Sequence, residues 1–156
     1  MAIAARLQQF LTQQGIDFSV VEHSHTGSST ETAQAAHIPG DRVAKAVIVK
    51  DEAGYVMVVI PSTHRLHLGQ LHKALGRELG LATESEISTL FQDCERGAIP
   101  PVGAAYGIDT VVDNAFMEQP DVYLEAGDHE ELIHLSGDQF RTLMRNTPKE
   151  RYSEHL

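Results

Sequence analysis

Val43-Ala44-Lys45-Ala46-Val47-Ile48-Val49-Lys50 is followed, after Asp51-Glu52-Ala53-Gly54, by Tyr55-Val56-Met57-Val58-Val59-Ile60. Both runs are rich in β-branched residues, and the link between them ends in glycine, which predicts a β-hairpin. Apolar residues stand at consecutive positions in each run, so both faces of this hairpin are expected to be covered. Lys45 interrupts the first run. A strand interior does not hold an unpaired ammonium without cost, so Lys45 either faces outward by strand alternation or is a cation held at the edge of a pocket. In the second case it would donate to an anionic or carbonyl oxygen.

Outward from the hairpin, helical and extended signals alternate. Upstream, Ile3, Leu7, Phe10 and Leu11 mark an amphipathic helix ended near Gly15, and Phe18 to Glu22 reads as a short strand. Ser24 to Thr30 is small and polar, a loop, from which Thr30 is expected to cap a brief helix over Glu31 to His37 before Pro39-Gly40. Downstream, Leu68, Leu71, Leu75 and Leu79 predict a second long helix with Gly80 in its C-cap region. Thr83 and Glu86 have capping-box spacing and open a shorter helix. A loop from Cys94 to Gly103 precedes strand candidates at Thr110–Val112, Val122–Glu125 and Leu132–Leu135. A final helix is expected over Gly137 to Arg145. The chain is therefore read as α+β, one domain over residues 1–156, with a mixed, partly barrel-like sheet flanked by helices.

The 156 residues carry 12 Lys+Arg against 22 Asp+Glu, a formal net charge of −10. The excess is confined to residues 81–156, since the first 80 residues hold equal numbers of acids and bases. Between Gly97 and Phe140 there is no Lys or Arg at all. Such a balance opposes a protein that coats nucleic acid or anionic membrane by charge, while leaving room for a small local contact. No apolar run is long enough to span a bilayer, and one cysteine cannot form an internal disulfide, so a cytoplasmic location without membrane partners is expected.

No G-x-S-x-G, P-loop or G-x-G-x-x-G motif occurs. Cys94 reads as a small buried side chain more readily than as a nucleophile. His64, His67 and His72 lack the spacing of a zinc site and are read as solvent-facing; no metal or cofactor is expected. The strongest local feature is Gly97-Ala98-Ile99-Pro100-Pro101-Val102-Gly103. Two prolines stiffen it and donate no N–H, leaving Gly97, Ala98, Ile99 and Val102 as donors to a developing oxyanion. Gly97 would permit a close approach or a backbone angle closed to other residues. His129, after Gly127-Asp128, could serve as an acid, a base or a substrate-binding group.

These features, in this order, resemble the YbaK/EbsC family of aminoacyl-tRNA deacylases, related to the editing domain inserted in bacterial prolyl-tRNA synthetases. The resemblance is carried by the strand ending near His23, by Thr30 to Ala36, by the lysine-bearing strand Val43–Lys50, by Gly97 to Pro101 as the G-x-x-x-P loop, and by Glu125 to His129. It implies hydrolysis of the ester joining a wrong amino acid to the terminal adenosine of tRNA, with the tRNA acceptor end as partner. Delivery by an aminoacyl-tRNA synthetase or elongation factor would fit the acidic chain. By this resemblance Lys45 holds the substrate near the terminal phosphate or ribose, and Gly97, Ala98 and Ile99 form the oxyanion loop. His23, Thr30, Ala46, Pro100, Pro101, Gly103, Gly127 and His129 are the implied substrate-binding positions. Alanine-specific members often carry Asn after the lysine, where this chain has Ala46, so alanine specificity is not implied. A non-catalytic module that senses an aminoacyl or nucleotide ligand is the alternative.

Overall fold

A computed structural model describes residues 3–156. In chain order its elements are α1 (Ala5–Gln13), β1 (Ser19–Glu22), α2 (Ser29–Ala35), β2 (Val43–Asp51), β3 (Gly54–Pro61), β4 (His64–Leu66), α3 (Leu68–Leu75) and β5 (Gly80–Leu81). There follow α4 (Glu84–Leu90), β6 (Asp109–Asp113), β7 (Asp121–Glu125), β8 (Glu131–Ser136), α5 (Gly137–Leu143), β9 (Lys149–Glu150) and β10 (Ser153–His155). The main sheet runs β1-β8-β7-β2-β3-β6-β9, with β5 also on β2, and a second small sheet joins β10 to β4. It is mixed: β2–β7, β3–β6 and β6–β9 are parallel and the remaining pairs antiparallel.

The hairpin is the centre of this sheet, as its sequence predicts. Lys45 pairs with Ile60 and Asp51 with Gly54, and the turn is tied by the Ala53 N–H donating to Asp51 Oδ1 at 2.8 Å. Alternation then divides its side chains between two cores. Ala44, Ile48, Met57 and Val59 join Leu7 and Leu11 of α1 and Phe140 of α5. Val49, Val56, Val58 and Ile60 join Leu71 of α3, Leu79 and Tyr152. Two covered faces explain the unbroken apolar runs. Each fully buried aliphatic side chain here contributes about 1.5–3 kcal/mol of transfer free energy.

Several boundaries differ from expectation. Helix α2 is capped by Ser28, whose side chain accepts the Glu31 N–H, not by Thr30; it starts two residues early and stops at Ala35. Ser28 is extended and stands three residues before Glu31, which satisfies the capping rule better than Thr30 does. Helix α3 stops at Leu75 because Gly76 adopts a left-handed conformation (φ 64°) and returns its N–H to His72. Leu79 keeps its place in the apolar stripe although it lies beyond the helix. The short strands β4, β5, β9 and β10 carry no sequence signal of their own and exist through pairing.

One gap in the sheet matters for function. On the edge facing away from β3, β2 pairs with β7 only at Val43 and Ala44, and with β5 only at Val49 and Lys50. The edge between these contacts is open. The Ile48 carbonyl points to this edge, accepting the Ala82 N–H at 3.0 Å. By the two-residue repeat of a strand, the main-chain groups of Ala46 turn to the same side, where no strand pairs with them among the described residues.

Candidate active site

A cavity of about 260 Å³ opens at that gap. The β2 wall gives Lys45, Ala46 and Ile48; the loop and first turn of α2 give Gly27, Ser28, Ser29 and Thr30; α4 gives Glu84 and Ile87; the stiff loop gives Gly97 and Ile99. Residues far apart in sequence thus meet because β2 is left unpaired for the few residues that carry the lysine. A larger cavity, about 590 Å³, lies elsewhere among Phe10, Arg77, Ile108 and Arg145, and holds neither Lys45 nor Gly97.

Lys45 is half-buried, and burial lowers the pKa of its ammonium below the ordinary 10.5. No carboxylate among the described residues lies within ion-pair distance of it. Lys45 is thus a partly desolvated cation among the residues that border the cavity.

The loop from Gly97 is held from below. Gly97 has φ 80°, the backbone angle expected of a glycine there, and a Cβ would also meet His129 Nε2 at 3.2 Å and the Gly27 carbonyl at 3.3 Å. The N–H groups of Gly97 and Ile99 have no acceptor among the described residues. Ala98 differs: it is fully buried and its N–H donates to the Glu95 carbonyl at 3.1 Å. It closes a turn, and its expected place among the free oxyanion donors is corrected. Pro100 and Pro101 are buried supports that do not line the cavity.

His129 also takes a different place. It is 2 % exposed and lies behind the loop, its Nε2 2.6 Å from the Arg96 carbonyl. A carbonyl only accepts, so Nε2 carries the proton. Its Nδ1 faces Glu125 Oε2 at 3.6 Å, and this carboxyl group raises the histidine's pKa against the opposing effect of burial. His129 therefore does not touch the cavity. Gly127 (φ 109°) packs on Ala4 and Cys94, Gly103 packs on Thr110, and His23 bonds its own neighbour Ser24, so none of these three lines the cavity either.

The cysteine and the histidine series are accounted for locally. Burial pushes the Cys94 thiol up to about 12, which leaves it protonated and a poor nucleophile. His64 bonds Ser153 at 2.8 Å, His67 caps α3, and His72 bonds the Leu79 carbonyl at 2.7 Å. These three are partly buried structural side chains, not the solvent-facing ones expected from sequence.

Residues 23–143 match the family model of the aminoacyl-tRNA editing domain. The chain belongs to this family. Its reaction class is thereby aminoacyl-tRNA editing. The editing domain spans every residue that lines the cavity, from Gly27 to Ile99, as well as the His129 turn. The chain is similar to the multifunctional Ser/Thr-tRNA deacylase ProXp-y of Escherichia coli (strain K12), 28% identical over 121 residues that cover 74% of this chain and 72% of that protein. Its fold is similar to that of a solved protein described as a candidate trans-editing enzyme for prolyl tRNA synthetase, with a TM-score of 0.83 and 25% identity over 97% of this chain and 96% of the other. A second solved structure, of a hypothetical protein, gives a TM-score of 0.84 at 24% identity over 96% and 99% of the two chains.

Within this editing domain, sequence reasoning missed Gly27, Ser28, Ser29, Ile48, Glu84 and Ile87 as cavity residues and Glu125 as a buried partner of His129. Glu125 had a signal: an acid directly after the apolar run Val122-Tyr123-Leu124, 1 % exposed in the fold.

Proposed function

We propose that the chain hydrolyses the ester between an amino acid and the terminal adenosine of mischarged tRNA, with the aminoacyl group seated between β2 and the Gly97–Ile99 loop. The observation that carries this reading is one cavity lined by an unpaired, partly desolvated Lys45 and by a rigid loop with unengaged N–H groups at Gly97 and Ile99. Its volume is below the ~300–1,000 Å³ of drug-sized sites, suiting an amino acid and its ester more than a whole nucleotide. Family membership favours turnover over the non-catalytic alternative.

In this mechanism the Lys45 ammonium binds a phosphate or ribose oxygen of the acceptor end. The Gly97 and Ile99 N–H groups hold the scissile carbonyl and stabilise the oxyanion formed when water adds to it. The C–O bond to the ribose then breaks, and the departing ribose oxygen takes up the proton given by the water. No side-chain nucleophile is needed; positioning and a hydrogen-bonded oxyanion supply the rate. The tRNA contact is small, because the acidic second half offers no phosphate-binding face between Gly97 and Phe140. A synthetase or elongation factor that delivers the charged tRNA would complement it.

The test is a panel of mischarged tRNAs carrying Pro, Ala, Ser, Thr or Cys, with Ser and Thr included because of the E. coli relative. Release of the amino acid from at least one of them is expected, with Lys45→Ala slower by at least ~10-fold through loss of its charged hydrogen bond. A folded protein that deacylates none refutes the function. Full activity of Lys45→Ala refutes the lysine's role.

A further inference from the structure

We propose that His129 and Glu125 are a positioning pair for the oxyanion loop, fixing the Arg96–Gly97 peptide without touching substrate; this rests on the deacylase reading above. In a trans peptide the carbonyl of one residue and the N–H of the next point in opposite directions. His129 Nε2–H grips the Arg96 carbonyl at 2.6 Å from inside the fold, so the Gly97 N–H is turned away from His129. Gly97 is the residue of that peptide that lines the cavity. One buried hydrogen bond thus sets the direction of one candidate oxyanion donor.

The pair is built for this, at a cost. His129 adopts a left-handed backbone (φ 59°), which a histidine takes at about 1–3 kcal/mol when the surroundings impose it. The imposing contacts are present: Asp128 Oδ1 accepts the N–H groups of Glu130 and Glu131 at 3.0 and 3.1 Å, and the Gly127 carbonyl accepts the Glu95 N–H at 2.7 Å. The turn that presents His129 and the turn that leads into Gly97 are therefore clasped together twice.

Glu125 extends the clasp to the opposite wall. Its Oε2 faces His129 Nδ1 and also accepts from Ser29 Oγ at 3.2 Å and Thr32 Oγ1 at 3.5 Å, both on α2. Its Oε1 and the histidine's Nδ1 are buried without a closer partner. At 3.6 Å the Glu125 carboxyl group lies on the Nδ1 side of the ring and favours its protonated form, while Nε2–H stays on the Arg96 carbonyl. One buried acid joins the two walls of the cavity through two hydroxyls and one ring.

The experiment combines kinetics on the best mischarged tRNA with the amide NMR spectrum of the full chain. His129→Ala is expected to lower kcat at least about tenfold while KM stays within about threefold, the signature of a lost transition-state contact. His129→Gln, whose amide N–H reaches the place of Nε2, recovers most of that loss, and Glu125→Gln falls between. In parallel the Gly97 amide resonance moves in His129→Ala and returns toward its original position in His129→Gln. If His129→Ala does not fold, His129→Asn replaces it with the same expectations. A raised KM at unchanged kcat would make His129 a substrate contact and overturn the proposal, as would a Gly97 resonance indifferent to all the variants. Failure of the wild-type protein on every tRNA refutes the deacylase reading, while the resonance still decides whether the pair orients the peptide.

Discussion

Gly97→Ala separates what the loop does for the fold from what it does for the reaction. The substitution keeps the N–H and adds one methyl group at φ 80°, where an L-residue costs about 1–2 kcal/mol. For a chain of this length each kcal/mol lowers Tm by roughly 2–4 °C, so a loss of about 2–8 °C is expected. The methyl also arrives 3.2 Å from His129 Nε2 and 3.3 Å from the Gly27 carbonyl, tighter than relaxed packing on both sides. Neither neighbour is free to retreat: the ring is buried and bonded to Arg96, and Gly27 donates its own N–H to Glu31 at 3.0 Å. The loop therefore moves by tenths of an ångström, and with it the two unengaged N–H groups. Loss of one oxyanion donor costs ~10²–10³ in kcat, so a displaced pair is expected to cost about 10². The assay is single-turnover deacylation at 25 °C, with folding checked by circular dichroism, so that the stability loss leaves the folded population intact. Wild-type kcat in a folded Gly97→Ala protein would refute the oxyanion role of the loop.

Other outcomes follow from the same structure. Cys94→Ala should leave deacylation within about twofold, because a thiol held protonated up to about 12 offers no thiolate at neutral pH; a large loss in a folded protein would restore the nucleophile reading. Asp113→Ala strips acceptors from the Tyr152 N–H (3.0 Å) and Ser153 hydroxyl (2.7 Å). It should destabilise by about 2–5 kcal/mol in urea titration and free β10 from its place, and an unchanged midpoint would contradict this. Acid unfolding should trace two surface carboxylates. The Arg77 hydrogen bond holds Asp51 at about 2, against 3.8, and the Lys50 hydrogen bond holds Glu86 at about 2, against 4.5. Both folded values lie below the unfolded ones, so their stabilisation is full above about pH 5 and is lost as pH falls through about 4 toward 2. Arg77→Ala should shift Asp51's titration, followed by NMR, back toward its ordinary value.

The comparison between sequence and structure is clearest at particular residues. The hairpin from Val43 to Ile60 was legible because local alternation and a glycine turn are sufficient to specify it, and its double burial followed from consecutive apolar positions. Thr83 and Glu86 were legible for the same local reason; their capping box is present. The Leu68–Leu79 stripe misled about length, since periodicity reports which side chains are buried, not where Gly76 turns the backbone. Ser28 against Thr30 is a choice between two caps two residues apart that only the packing of α2 makes.

The candidate site divides along the same line. Lys45 in an apolar strand and the Gly97-to-Pro101 loop stand out in sequence because each breaks a local rule, an ammonium among branched aliphatics and paired prolines flanked by glycine. Their meeting does not. It depends on β2 pairing with β7 and β5 and leaving Ala46 open between them, a consequence of strand order across the whole chain. The same is true of Ala98 and His129, which sequence placed at the substrate and which the fold buries outside the cavity lining. The Ala98 N–H is taken up by a carbonyl three residues back in its own turn, and His129 is held by a contact to the Arg96 turn 33 residues away. The sequence by itself determined the chemistry available to this protein; the tertiary structure alone decided which groups face the cavity and which hold the others in place.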